Sequence, residues 1–341
     1  CCHDALRSPG QGQPAACRAR LTITVKNSSG EHSAASTSRV PDVSPDLPTP
    51  GWRALLAVLA RLPQPGLSRA FGRLADLRIP APLRRPILGT FARAIGIDVA
   101  EAEGPVSEYE TLDDFFVRRL RPGARSFPND PDALASPVDG IVGELGTIRS
   151  GDALQAKGRS YSVARLVDDA AEAARFDGGL FITLYLSPRH YHRIHAPCGG
   201  RIIGARHMPG ALLPVNRQAV NHVNDLFPRN ERLVCWLDGP LGRVAVVAIG
   251  AYNVGRISAA FDATWAGPGR IGVTNRGTTE PESRRYDPPI PVVQGQELMA
   301  FHLGSTLVML VEPARVEFVD AIRDGLEVRV GEVIARGGGS G

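Results

Sequence analysis

Ser305 lies in FHLGSTLVML, residues 301–310, where two apolar runs flank a small polar knot, Gly304-Ser305-Thr306. A glycine inside a strand ordinarily marks a bulge or tight bend. The sharper alternative is that the Ser305 hydroxyl reacts with the backbone beside it, which needs a base to take its proton. SPRHYHRIHAP, residues 187–197, supplies candidates: His190, His192 and His195 fall within six positions. In a strand, positions 190 and 192 would share one face. Histidine titrates near neutral pH, which suits acid-base work. A metal site is disfavoured, because no Cys, Asp or Glu lies close and Arg189 and Arg193 would repel a cation. Hydrogen-bonded structural histidines are the plain alternative. SPVDG, residues 136–140, holds Asp139 in a Pro/Gly turn, where an Asp ordinarily bonds its own backbone.

These groups need a scaffold. From Ala135 onward, short apolar runs such as IVGELGTI, LFITLYL, RIIGARHM, RLVCWL and TLVMLV alternate with Gly and Pro turns, a β-rich texture. One helix is expected within it, at about Ser162 to Ala174. Upstream, SEYETLDDFFVRRLRPGARSF reads as a helix from Ser107 or Thr111 to Arg121, with Thr111 and Asp114 as a capping box and Pro122-Gly123 as its stop. Asn230-Glu231-Arg232 reads as a loop with a local ion pair, and Gly250 and Gly255 as points of close backbone approach. There is no βαβ series and no G-x-G-x-x-G, which argues against a Rossmann fold. The expectation is an α+β fold: an N-terminal helical layer, then a large, mainly antiparallel β core.

Residues 52–97 carry eight Arg against one Asp, a net of +7, among Trp, Leu and Phe at helical spacing broken by prolines. Such helices suit an anionic membrane interface and equally suit a cap packed on the protein's own core. Residues 1–50 are rich in Ser, Pro, Gly and Ala and are expected to be a disordered or non-native extension. Residues 51–335 are expected to form a single domain, and 336–341 a flexible tail. The chain begins with Cys rather than Met, so its true start is expected to lie elsewhere. The formal charge of +4 is too mild for bulk nucleic-acid binding, and no stretch approaches the roughly 20 apolar residues of a membrane span. Five cysteines without C-x-x-C spacing predict neither zinc nor disulfides, and so a reducing compartment. No secretory signal is evident. The only lysines are Lys26 and Lys157, which leaves little scope for a Schiff-base lysine.

SPVDG, KGRSYS (157–162), YHRIHAP, PVN…LF..NER, GAYNVGRI (250–257) and LGST occur in the order and with the spacing of phosphatidylserine decarboxylases, which this chain resembles over roughly residues 105–335. YETLDDFFVRRLRPGARSF also resembles that family's F-F-x-R-x-L-x-x-G-x-R segment.

The resemblance implies a zymogen that cleaves itself between Gly304 and Ser305. Residues to Gly304 become a β subunit, and those from Ser305 a short α subunit capped by a pyruvoyl group made from Ser305. His195 is implied as the base of cleavage, Asp139 as its orienting carboxylate, and His192 as the proton donor after decarboxylation. The covalent pyruvate would form a Schiff base with the amine of phosphatidylserine, yielding phosphatidylethanolamine and CO2. The implied setting is phospholipid biosynthesis at the cytoplasmic face of a bacterial membrane. The enzyme would be a peripheral αβ heterodimer, open to higher oligomers, with membrane-contacting helices at about 52–97 and no metal or nucleic acid. A relative acting on another amine would not need the arginine-rich helices. The Gly-rich segments SPVDGIVGELG and APCGGRIIG resemble lipoyl-like hybrid barrels, which also occur in carrier proteins. Lys157 is the only carrier lysine in the β region, and KGRSYS is not a lipoyl-type hairpin.

Overall fold

A computed structural model describes residues 72–156, 158–215, 217–251, 256–267, 272–302 and 305–338, with the backbone only at Arg217, Gln218 and Ser305. All fall within one compact unit, 48–341. The expected extension at 1–50 and the helices at 52–71 lie outside the described residues.

The helices are short: α1 (Ala81–Ile95), α2 (Leu112–Phe116), α3 (Val163–Val167), α4 (Ala170–Ala174), α5 (Arg217–His222) and α6 (Leu226–Arg229). Pro82 opens α1, and Gly96, at φ 83°, ends it. Its inner face buries Leu88 and Ala92 against Phe115, while Leu83 and Ile87 stay exposed.

Eight strands form one antiparallel sheet, in the order β11 (Glu282–Val292), β7 (Gly200–Met208), β8 (Arg232–Gly239), β9 (Gly242–Ile249), β13 (Ser305–Val311), β5 (Leu180–Leu186), β2 (Gly140–Thr147), β15 (Glu327–Val328). Smaller ladders join β10 (Arg256–Ala259), β12 (Glu297–His302) and β6 (Arg193–His195), and β1 (Ala133–Ala135), β16 (Val333–Gly337) and β14 (Val316–Phe318). A hairpin pairs β3 (Asp152–Ala156) with β4 (Arg159–Ser162). The fold is thus α+β and mostly antiparallel. Among the described residues the large sheet is open, ending at β11 and β15. β16 takes in residues 336 and 337, which the sequence suggested were tail.

The central strands are apolar on both faces. In β13, Leu307, Met309 and Val311 join one core cluster and Val308 and Leu310 the other. Strict period-2 alternation disappears when both faces are buried.

Four local expectations change. α2 keeps its Thr111 cap, whose hydroxyl accepts the Asp114 N–H at 2.9 Å, but stops at Phe116 rather than Arg121. Residues beyond it pair with an upstream segment instead: Glu103 N–H donates to Arg119 O and Arg121 N–H to Glu101 O, each at 2.9 Å. The helix expected at 162–174 is two helices, broken at Asp168 (φ 53°), with Asp169 capping the second. Residues 187–192 form a turn and loop rather than a strand, so the shared-face geometry for His190 and His192 does not arise. Glu231 pairs with His207 at 2.8 Å, not with its neighbour Arg232. Arg232 instead donates to the carbonyls of Arg165, Leu166, Pro228 and Asn230.

Candidate active site

One register row runs through the sheet. Ser305 pairs with Leu186, and Thr306 and Ile141 both pair with Tyr185, so Gly140 lies level with Leu186. At about 4.8 Å per strand, Gly140 and Ser305 are about 10 Å apart across β5. Asp139 precedes Gly140. The His195 N–H donates to Pro137 O at 2.8 Å, tying β6 to the same turn. Downstream, the Phe301 N–H donates to His192 O at 2.9 Å. The topology therefore gathers Asp139, His192, His195 and the backbone of Ser305 around the end of β5.

His195 is held by both ring nitrogens. Nδ1–H donates to Gly295 O at 2.7 Å. A carbonyl only accepts, so the proton sits on Nδ1 and Nε2 carries a lone pair. The Tyr191 hydroxyl donates to that Nε2 at 3.0 Å, with the two rings stacked at 5.5 Å. Burial pulls the imidazole below the usual histidine range, so the ring is neutral at pH 7. The Gly295 carbonyl is fixed by a turn at φ 83°, and a Cβ there would sit 2.7 Å from the Phe127 ring. That ring lies 5.9 Å from the His195 ring.

His192 is fully buried, with its ring 4.1 Å from that of Phe116. Its Nδ1–H donates to His190 O at 2.8 Å, and its Nε2 has no partner among the described residues. Burial pushes its pKa down to about 3. His190 closes the turn: it accepts the Ser187 N–H on Nδ1 at 3.0 Å and faces Glu327 through Nε2 at 3.2 Å. It belongs to the scaffold.

Asp139 is buried and does not hydrogen-bond His195. Arg125 donates to both of its oxygens, and the Val330 N–H donates to Oδ1 at 2.8 Å. Arg125 also grips Glu101 at 2.9 and 3.1 Å. A charge-assisted bidentate pair outcompetes a neutral imidazole for a carboxylate. Asp139 reaches His195 as a nearby negative charge, which favours the imidazolium. The orienting contact comes from the Gly295 carbonyl instead.

A second acid–histidine pair sits where β12 ends. His302 Nδ1 meets Asp113 at 2.8 Å, and its Nε2 meets Ser258 Oγ at 3.1 Å. Arg256 binds the same Asp113 oxygen at 2.5 Å and also grips Asp76.

Sequence reasoning brought out Asp139, His192, His195 and Ser305. It missed Tyr191, Arg125, Gly295 and the His302–Asp113 pair. Arg125 and Tyr191 stood inside the quoted motifs, but nothing in their spacing revealed what they touch.

Comparison with known proteins gives the family. The family model for phosphatidylserine decarboxylase matches residues 112–336. A phosphatidylserine decarboxylase proenzyme of Anaeromyxobacter sp. is 46% identical over 280 residues, 82% of this chain and 97% of the relative. The proenzyme of Myxococcus xanthus is 40% identical over 282 residues, 83% of this chain and 98% of the relative. That of Azotobacter vinelandii is 42% identical over 282 residues, 81% and 95%. The chain belongs to the phosphatidylserine decarboxylase family, a family of carboxy-lyases.

Proposed function

We propose that this chain is a proenzyme that cleaves itself at Gly304–Ser305 and then converts phosphatidylserine to phosphatidylethanolamine and CO2. The observation that carries this is His195, a half-buried imidazole, neutral at pH 7, with its proton on Nδ1 and its Nε2 lone pair met by the Tyr191 hydroxyl, which must turn away for the ring to act as a base.

In the first reaction, His195 takes the proton of the Ser305 hydroxyl as Oγ attacks the Gly304 carbonyl. The C–N bond breaks, and an ester replaces the amide. Loss of the Ser305 Cα proton then breaks the Cβ–O bond. Gly304 leaves as a carboxylate holding both oxygens, and dehydroalanine remains. Its tautomer takes up one water and releases ammonia, leaving pyruvoyl. Asp139, held by Arg125, favours the imidazolium formed in the first step.

The residues present fit such a group. His192 Nε2 is an orphaned buried atom beside the segment that leads into Gly304–Ser305, and the two lysines in the chain leave the amine-capturing carbonyl to come from elsewhere. When present, the pyruvoyl supplies the electron sink for loss of CO2. His192 is unprotonated on Nε2 at rest, so it must gain a proton before returning one to the decarboxylated carbon.

Two further features support the reading. β13, β15 and β16 of the small fragment pair with β5, β9, β2 and β1 of the large one, so the subunits stay joined after cleavage. Leu74, Leu77, Leu83, Ile87 and Val99 are exposed among arginines, which suits peripheral contact with an anionic bilayer at the cytoplasmic face. No helix among the described residues is long and apolar enough to cross a membrane. The lipoyl-like character of SPVDGIVGELG and APCGGRIIG rests on their glycine pattern.

The test is the intact mass of purified protein beside Ser305→Ala. Two fragments split at Gly304–Ser305, the smaller one short by the mass of ammonia, are expected in the wild type alone. A single uncut chain in both, after incubation with phosphatidylserine vesicles, sinks the mechanism.

A further inference from the structure

Arg118 is a buried cation that touches no anion among the described residues; Asp139 and Glu101 act on it only from beyond ion-pair distance. It is 3% exposed, and among the described residues it makes no ion pair. Among the described residues, Nε and Nη1 have no hydrogen-bond partner, and Nη2 reaches only Arg189 O, at a long 3.4 Å. The other buried arginines are neutralised or saturated. Arg125 holds Asp139 and Glu101, Arg243 holds Glu172, and Arg232 donates to four backbone carbonyls. A buried charge without a partner is costly, and its retention points to an anion that arrives with a ligand.

The surroundings put that anion in a cavity next to His192, on which the Arg118 charge acts. Arg118 follows Phe116, whose ring packs tilted against His192, and Val117, whose carbonyl accepts Arg193 Nε at 2.8 Å. Its guanidinium carbon lies 5.8 Å from the Phe115 ring centre. It stands in the wall of a cavity of about 400 Å³ shared with Tyr109, Val117, Arg119 and Arg193. Its charge acts on His192, which neighbours it with an unpartnered Nε2. An unpaired cation and an unpaired base thus face the same locality.

A phosphatidylserine headgroup carries two anions, and the chemistry chooses between them. The carboxylate leaves as neutral CO2, so a buried arginine gripping it would stabilise the ground state more than the transition state and slow the reaction. The phosphodiester is untouched by the reaction and matches the planar guanidinium fork. Glu103, Glu108 and Asp114 also line the cavity. These acids disfavour a dianion and leave a singly charged diester as the best match.

We infer that Arg118 is the phosphate-holding residue of this site and takes the phosphodiester monoanion of the serine lipid headgroup. This rests on the decarboxylase reading above. Held there, the phosphate anchors the headgroup so that its serine end reaches the His192 side of the site.

The test uses cleaved enzyme and a short-chain phosphatidylserine. Arg118→Met is expected to cleave completely by intact mass, to raise KM at least tenfold, and to change kcat less than threefold. Arg118→Lys keeps the charge but loses the fork and should raise KM at least threefold. KM within twofold of wild type in either folded variant, or a loss confined to kcat, overturns the assignment. A measurement on the wild type alone covers the case in which neither variant folds. Glycerophosphoethanolamine should inhibit competitively, and ethanolamine should not at the same concentration. Equal inhibition by the two overturns the assignment. Inorganic phosphate inhibiting more strongly than the diester would mark a site for free phosphate and overturn the headgroup assignment. A wild type that cleaves but does not decarboxylate phosphatidylserine would fail the parent reading. An active wild type with unaltered variants fails this one only.

Discussion

Two acid–histidine neighbourhoods, one at the end of β12 and one at the start of β2, are built in opposite ways. At the end of β12, Asp113 touches His302 directly at 2.8 Å, and Ser258 occupies the other nitrogen at 3.1 Å. Both nitrogens are committed, and Arg256 locks the carboxylate. At the start of β2, Asp139 touches no histidine. Arg125 has taken it, and a backbone carbonyl aims His195. The first arrangement looks more like a catalytic relay, yet it has the character of an anchor: it pins the end of β12 to α2 and β10. In the second, Nε2 likewise meets a hydroxyl, that of Tyr191 at 3.0 Å. The partner of Nδ1, a carboxylate for His302 and a backbone carbonyl for His195, separates the two histidines.

The largest effect that could break this contrast is on self-cleavage. His195→Gln is expected to slow cleavage by about 10³-fold, in line with loss of a general base. His302→Gln should slow it less than tenfold. Fragment appearance over time on a gel, with circular dichroism melts as fold controls, checks both, and equal losses would erase the distinction.

Next comes the pair of carboxylates. Asp139→Asn leaves Arg125 with Glu101 alone and is expected to cost about 3 kcal/mol of stability, as for a broken buried pair. Asp113→Asn should cost about 2 kcal/mol, since Arg256 keeps Asp76. Denaturant midpoints measure these costs. Only the Asp139 variant should also slow cleavage beyond what its stability explains.

Stability should also depend on pH, with a sign set by burial. The folded pKa of His192 lies near 3, below the ordinary histidine value of about 6.5. The unfolded chain therefore binds the extra proton first, and stability is lost as pH falls through the window between those values, by up to about 1.4 kcal/mol per pH unit for this group. His190 and His195 shift the same way. His192→Phe, which keeps a ring against Phe116, should flatten part of that slope in urea titrations at pH 6.5 to 4.5.

The smallest effect sharpens the account of His195. Tyr191→Phe removes a donor that favours the neutral ring. The midpoint of the pH–cleavage profile should move up, while the rate above it stays within about threefold. An unmoved midpoint would mean that the Tyr191 hydroxyl bond contributes nothing in solution.

Much of this was legible in the chain. TLVMLV and VAVVAI are continuous apolar runs, and only a sheet buried on both faces accommodates them without alternation. Thr111 and Asp114 declared a helix start that the fold retains. Asp139, His192, His195 and Ser305 stood out because their motifs occur in the order and with the spacing of the family. The length of α2 and the break at Asp168 were not. Both depend on partners distant in sequence, as when residues 119–121 pair with 101–103 in place of continuing a helix.

The sequence by itself determined the β core, the order of the motifs and the residue types available for acid, base and nucleophile, since composition and periodicity are local properties. Tertiary structure alone decided which carboxylate meets which cation, which nitrogen of His195 holds its proton, and that Arg118 is left unpaired. Those outcomes turn on competition among groups brought together from the whole chain. A hydrogen bond's winner is set by distance, charge and burial at the point of contact, none of which is written in the spacing of the residues.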